Sequence, residues 1–401
     1  MNNQKVLLVA VLATALAASS AVGAELNFGG DLGFYLFDVS SGNGILPRWD
    51  TLTKSAVPDT WGDTTGRIQT ALESHGFGLY WNVQLTDNVS VNALTEVGAR
   101  TGATPSLGTK LGKQETEAAF KALSLPEAYI QLMLPWEVQM SAGILRPIFS
   151  EDYGEKKGYQ EANRLFQSST TAYGGEWHDL GIELYKSFEP GGGLSIPAYA
   201  YVLAGEMDAL GDNNSNKTLL FHVAPAFWKL RLLGSFGFGK AGPDTALMSW
   251  SRYAAGLAGD FGNFWFRGEF FGGSWAGRVM LNEANKDSLG NVLPETVAVK
   301  PIAYYLKAGY NFMPDKLGLV LTYDQSSPDW TTRSKLGYKT QSGNTTDAGE
   351  SYTTIGATVQ YWVIPGSALL FEYNRGMWKV GDGSLNKIDF NRFTLGWRTV
   401  F

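Results

Sequence analysis

The sequence predicts an all-β fold: one closed antiparallel transmembrane β-barrel of about 16 strands, with short periplasmic turns and long extracellular loops. Three observations carry this. Apolar and polar residues alternate with period two over many stretches. The connections between those stretches alternate short and long. Aromatic residues collect beside the short ones. Composition agrees, with 48 Gly, 22 Phe, 18 Tyr and 13 Trp among 401 residues and only 17% charged. Gly serves turns and aromatics favour strands. The absence of Cys excludes disulfide frameworks, cysteine zinc sites, iron–sulfur clusters and thiol nucleophiles, and a formal charge of -6 argues against nucleic-acid binding.

Met1 to Ala24 reads as a cleaved secretory signal peptide. Lys5 supplies the positive start, Val6 to Ala18 the apolar stretch, and Val22-Gly23-Ala24 the small residues before a cut. That stretch is shorter than the roughly 20 residues a spanning helix needs. Residues 25–401 then form the barrel. No later stretch is apolar enough for a membrane helix, which suits strands that show lipid only every second residue.

The strands follow from the alternation. Phe77, Leu79, Trp81, Val83 and Leu85 share one face, as do Leu219, Phe221, Val223, Pro225 and Phe227. Phe264, Phe266 and Phe270 alternate with Trp265, Arg267 and Glu269. Near the end, Phe393, Leu395, Trp397, Thr399 and Phe401 alternate with Arg392, Thr394, Gly396 and Arg398. Short turns fall at Thr86 to Asn88, Pro135 to Glu137, Glu189 to Gly193, Asp260 to Asn263, Met313 to Lys316 and Ile364 to Ser367, each with Gly, Pro, Asn or Asp. One more turn is needed near Trp228-Lys229, which lacks those residues. Tyr80, Trp81, Tyr129, Trp136, Trp228, Phe261, Phe264, Tyr310, Phe312, Trp362 and Phe401 lie near the turns, as an interfacial aromatic girdle would. A sheet exposed to lipid must close, because unpaired edges cannot stay in hydrocarbon. A ring of about 16 strands leaves an aqueous channel, so lumen-facing residues decide function.

The whole chain after Ala24 resembles a Gram-negative outer-membrane porin. The signal peptide, the alternating strands and the terminal Phe401 carry the resemblance. Gly143 to Ser150 (GILRPIFS) followed by Trp177 to Leu184 (WHDLGIEL) is similar to the strand–loop–strand around the third loop of the phosphate-selective porin family. The resemblance implies a constriction by the third loop, here residues 147–179, and Phe401 as a signal to the barrel assembly machinery. It also implies outer-membrane lipid, small hydrophilic solutes or ions, and two further copies in a homotrimer as partners. Small or flat positions such as Ala198, Ala200, Ala204, Ala255 and Leu257 permit that packing.

The constriction loop carries Glu151, Asp152, Glu155, Glu161, Glu176 and Asp179 against Lys156, Lys157 and Arg164. Lumen-facing candidates on the strands are Arg100, Arg231, Arg267, Lys307, Arg392 and Arg398, with Glu96, Glu127, Glu183, Glu269, Asp324 and Glu372. Charges facing lipid cost about 2–4 kcal/mol for Arg or Lys at the midplane, so these should point inward. Opposed acids and bases set up a transverse field that orients passing solutes, and the acidic loop points to a weakly cation-preferring or general channel. His75, His178 and His222 have no metal-ligand spacing, and no cofactor is expected. Gly234 to Ala241 (GSFGFGKA) mimics a phosphate loop but alternates as a strand does.

The leading expectation is a passive channel for small hydrophilic solutes or ions, with an anion- or phosphate-selective porin as a variant. A second is a barrel sheath around a partner cytochrome, in an outer-membrane electron conduit. A third, a barrel enzyme, lacks a nucleophile constellation.

Overall fold

A computed structural model describes residues 25–41, 46–50, 55–59, 67–97, 123–150, 178–205, 215–241, 248–286, 292–299, 302–327, 350–380 and 387–400. The expected signal peptide, Phe401 and most of the long loops lie outside the described residues.

Among the described residues, twenty strands follow one another. They are β1 (Glu25–Ser41), β2 (Leu46–Asp50), β3 (Ser55–Asp59), β4 (Arg67–Thr86), β5 (Val89–Val97), β6 (Leu123–Leu134) and β7 (Val138–Leu145). Next come β8 (Asp179–Gly191), β9 (Leu194–Leu203), β10 (Thr218–Val223), β11 (Ala226–Phe227), β12 (Leu230–Ala241) and β13 (Met248–Asp260). The last are β14 (Phe264–Lys286), β15 (Val292–Val299), β16 (Ile302–Met313), β17 (Leu317–Ser327), β18 (Glu350–Ile364), β19 (Ser367–Val380) and β20 (Lys387–Val400). Strands β2 and β3 make a separate hairpin.

The other 18 strands form one antiparallel sheet. Strand β1 pairs with β4 on one side and with β20 on the other, so the ladder returns on itself. Strands β10 and β11 together fill one place between β9 and β12. Strands β15 and β16 share β14, so that 18 strands occupy 16 places around the ring. The break between β10 and β11 falls at Ala224-Pro225, where proline has no N–H for the ladder. The run from Leu219 to Phe227, read from sequence as one strand, is therefore two.

Seven tight connections gather at one end: 87–88, 135–137, 192–193, 228–229, 261–263, 314–316 and 365–366. Trp228 takes a left-handed backbone, with φ of 55°, at the join with no usual turn residue. The Lys229 ammonium lies 5.5 Å from the centre of its ring, and Phe261 meets it edge-on at 6.2 Å. Cation–π and aromatic contacts hold this turn where Gly or Asn is missing.

The register separates the two faces. Ile182, Val202, Phe236, Tyr253, Phe270 and Tyr304 lie outward and exposed. Lipid is the solvent such a belt requires. The turn-side girdle contains Trp136, Trp228, Phe261, Phe264, Tyr310 and Phe312, all exposed. Three residues assigned to it from sequence belong inside instead. Tyr129 packs on the inner cluster described below, and Trp362 packs on buried Ala368 and Leu370. Being near a turn does not fix a side; parity along the strand does. Tyr80 is paired through Leu94 with inward Glu127, so Tyr80 points inward and its neighbour Trp81 outward.

Candidate pore constriction and lumen wall

The inward face is built from the residues between the lipid-facing ones. On β14, outward Phe270 alternates with inward Glu269 and Phe271; on β16, outward Tyr304 and Leu306 alternate with inward Tyr305 and Lys307. Cross-strand pairing carries this around the ring. Arg231, Ala258, Arg267, Lys307, Thr322, Gly356, Asn374 and Arg392 are successive partners from β12 to β20. One register row thus holds four basic residues on a single arc. The next inward row toward the loops holds Gly256, Glu269, Tyr305, Asp324 and Thr354. On the turn side, Thr358 donates to Glu372 at 3.0 Å, and Asn374 also donates to Glu372.

Of the sequence candidates, Lys307, Arg392, Arg398, Glu127, Glu269, Asp324 and Glu372 are buried on this inner face. Arg231, Arg267 and Glu183 are half-buried on it. Glu96 belongs to β5. Arg100 and the loop residues Glu151, Asp152, Glu155, Lys156, Lys157, Glu161 and Arg164 lie outside the described residues. Sequence reasoning missed Arg252, buried on β13 with its guanidinium 5.1 Å from the centre of the Trp250 ring. The alternation of inward Trp250, Arg252 and Ala254 could have found it.

Residues 147–150, just after β7, lie inside the ring. Pro147, Phe149 and Ser150 are buried, and their contacts lie on distant strands. The Ile148 N–H donates to the Tyr201 hydroxyl on β9 at 3.2 Å. Phe149 packs on Phe271 of β14, ring centres 6.4 Å apart. The Ser150 hydroxyl donates to Glu269 of β14 at 2.7 Å, and the Tyr305 hydroxyl of β16 donates to the same carboxylate oxygen. Leu145 and Phe149 join Tyr201, Leu203, Leu220, Trp250, Ala254, Phe271, Ala303 and Tyr305 in an apolar cluster inside the ring. A water-filled lumen would make such a wall costly to expose, and the infolded segment covers it. Nothing in the local sequence announced Glu269 as the anchor of Ser150.

Loop-side polar groups complete the mouth. Asp179 accepts the Gly205 N–H at 2.9 Å, and His178 Nε2 lies 4.0 Å from Glu127. His222 and Ser235 are hydrogen-bonded at 2.7 Å on the inner wall. The phosphate-loop mimic Gly234 to Ala241 lies within β12, with Phe236 and Phe238 facing out. Among the described residues no cluster of His, Asp and Glu could hold a metal ion.

No protein-family model matches the chain, and no curated protein matches it. Solved structures do. The outer-membrane channel DcaP of Acinetobacter baumannii superposes with a TM-score of 0.56 at 14% identity, over 94% of this chain and 97% of that one. OmpF of Salmonella typhi, solved with daunomycin, gives 0.56 at 14% identity, over 94% and 98%. An anion-selective porin from Comamonas acidovorans gives 0.53 at 13% identity, over 94% and 100%. With the ring closed, the belt facing out and the segment after β7 turned inward, this chain has the fold of the outer-membrane porins.

Proposed function

We propose that this protein is a water-filled outer-membrane channel through which small hydrophilic solutes or ions diffuse passively. The observation that carries the reading is the segment at 147–150, anchored across the lumen onto β9, β14 and β16 inside a ring whose outer face is apolar. Such a segment narrows a pore, and a narrowed aqueous pore passes solutes by size and charge. The reading includes no enzymatic step and no cofactor. A sheath around a partner protein has no observation in its favour, because the anchored segment occupies space that partner would need.

Charge preference is the finer question. Among described inward residues, Arg231, Arg252, Arg267, Lys307, Arg392 and Arg398 balance Glu127, Asp179, Glu183, Glu269, Asp324 and Glu372. The loop then decides, and its acids outnumber its bases. Fields are strongest where low-dielectric walls come closest, so weak cation preference follows. One observation favours the opposite reading: the basic row from Arg231 to Arg392 would form an anion path.

Single-channel recording in a planar bilayer tests all of this. Discrete conductance steps support the channel, and their absence refutes it. A salt-gradient reversal potential on the cation side, moving toward anions when Glu151, Asp152 and Glu155 are neutralised together, supports the acidic constriction. A strong anion preference in the unaltered protein favours the basic row instead.

The assembly is read as a homotrimer. Ala198, Ala200 and Ala255 face outward beside exposed Val223, Phe221 and Phe270, and Leu257 beside Leu232, giving an apolar surface for a second copy. Ala204 does not contribute; it is buried beyond the end of β9. Crosslinking in native membranes that gave only monomer would refute the trimer.

A further inference from the structure

We propose that the lumen wall from β5 to β10 is a binding site for neutral carbohydrate, so that the channel retains sugars in transit. The inference rests on the channel reading and names its solute class. The inner wall is two-faced. From β12 to β20 it carries the charged row and its counter-charges. From β5 to β9 the half-buried inward groups are mostly neutral: Asn92, Tyr129, Gln131, Gln139, Tyr185 and Tyr199. Glu183, in the middle of this arc, receives the Ser141 hydroxyl at 3.1 Å. Asp179 and Glu127 lie toward the loops.

The tyrosines are arranged rather than scattered. Tyr185 and Tyr199 are cross-strand partners with ring centres 4.6 Å apart. Tyr199 lies parallel to Tyr201 within 4°, at 6.2 Å, and 5.7 Å from the His222 ring. Tyr201 is covered by the infolded segment, whereas Tyr185 and Tyr199 remain half-buried on its turn side. Gln139 stands beside Tyr185 in the ladder, and Asn92 beside Tyr129.

The Tyr185–Tyr199 stack is half-buried on the lumen wall. A pyranose ring packs on such aromatic surface through its C–H face, while side-chain amides donate to and accept from its hydroxyls. An anion would be drawn to the basic row on the opposite arc and a cation to Glu127, Asp179 and Glu183, whereas a neutral solute is held only by the rings and amides. A few polar groups around an aromatic platform is the composition of a small-molecule site.

The test uses the full-length protein, with maltohexaose as the probe. In a conducting bilayer, maltohexaose should interrupt the ion current in a saturable way, and the Tyr185→Ala, Tyr199→Ala double variant should shorten each interruption at least tenfold. Val202→Ala, on the outer face, should leave the interruptions unchanged. In detergent, intrinsic fluorescence titrated with maltohexaose reads binding without conduction: a saturable change lost in the double variant supports the site. An open channel with neither interruption nor saturable fluorescence change overturns the carbohydrate inference and leaves the channel standing. A chain that does not conduct overturns the channel, and the titration alone then decides the site. Equal interruptions in the double variant would also overturn the site.

Discussion

Replacing Phe149 by alanine should release the infolded segment while leaving the barrel standing. Phe149 is 4% exposed, packed on Phe271 within a cluster that includes Leu145, Tyr201 and Tyr305. Truncating a buried Phe to Ala costs about 3–5 kcal/mol. Even the lower figure divides the docked-to-undocked ratio by roughly 100, at about 1.4 kcal/mol per tenfold. The ladder hydrogen bonds of the wall are untouched, so the loss falls on the segment. Two ties would remain: Ser150 on Glu269, a bond to a charged group at about 1.5–3 kcal/mol, and Ile148 on Tyr201 at about 1 kcal/mol. They are too few to hold a segment that also loses its apolar seat. Single-channel recording should show higher mean conductance and excess open-channel noise, and the unheated band on a denaturing gel should keep its folded mobility. Unchanged conductance and noise in a folded variant would refute the claim that Phe149 seats the constriction.

Three further outcomes follow. Leu306→Arg places a charge on an exposed outward position in mid-strand, and should cost up to about 2–4 kcal/mol in urea unfolding from lipid vesicles. Gly143→Ala should lower the thermal transition by the equivalent of at least about 1–3 kcal/mol: Gly143 has a φ of 142°, and a Cβ there would meet the Ala128 carbonyl oxygen at 2.3 Å and Tyr129 at 2.8 Å. An unchanged transition would show that β6 and β7 can part without cost. Deleting Phe401, the end of the alternating C-terminal run, should reduce the amount of barrel reaching the outer membrane more than it changes conductance. Normal membrane levels of the truncated chain would leave Phe401 as one more girdle aromatic.

What could be read from sequence was what depends on neighbours in the chain. Period two and turn chemistry located most strands, six tight turns and the parity that turns Lys307 and Glu269 away from Leu306 and Phe270. The seventh turn, at Trp228, was placed by counting strands, since its support comes from Phe261 on the next turn rather than from its own sequence. The aromatic girdle is partly misassigned because proximity to a turn stood in for parity at Tyr80, Tyr129 and Trp362. The anchor was not legible. Ser150 and Glu269 are 119 residues apart, and no local pattern links them. Phe149 and Phe271 looked like two more aromatics of a membrane protein until the closed ring brought β7 and β14 to one lumen.

Closure also decides how the two halves of the wall act on a solute. With 16 places in the ring, β6 and β16 stand eight apart, so Tyr129 and Gln131 look across the lumen toward Lys307. A charge on one side reaches the other only weakly, because screening at physiological salt acts over about 8 Å. On the channel reading, anions are therefore sorted near the basic row of Arg231, Arg267 and Lys307, and cations near Glu269 and Asp324 and, on the other arc, Glu127, Asp179 and Glu183. Neutral solutes feel the tyrosine and amide arc, where stacking and hydrogen bonds depend little on salt. Salt separates the two arcs: raising it should erase ion preference while leaving the residence of a neutral sugar nearly unchanged. If both faded together, one charged surface would account for both, and the division of the wall would have no functional meaning.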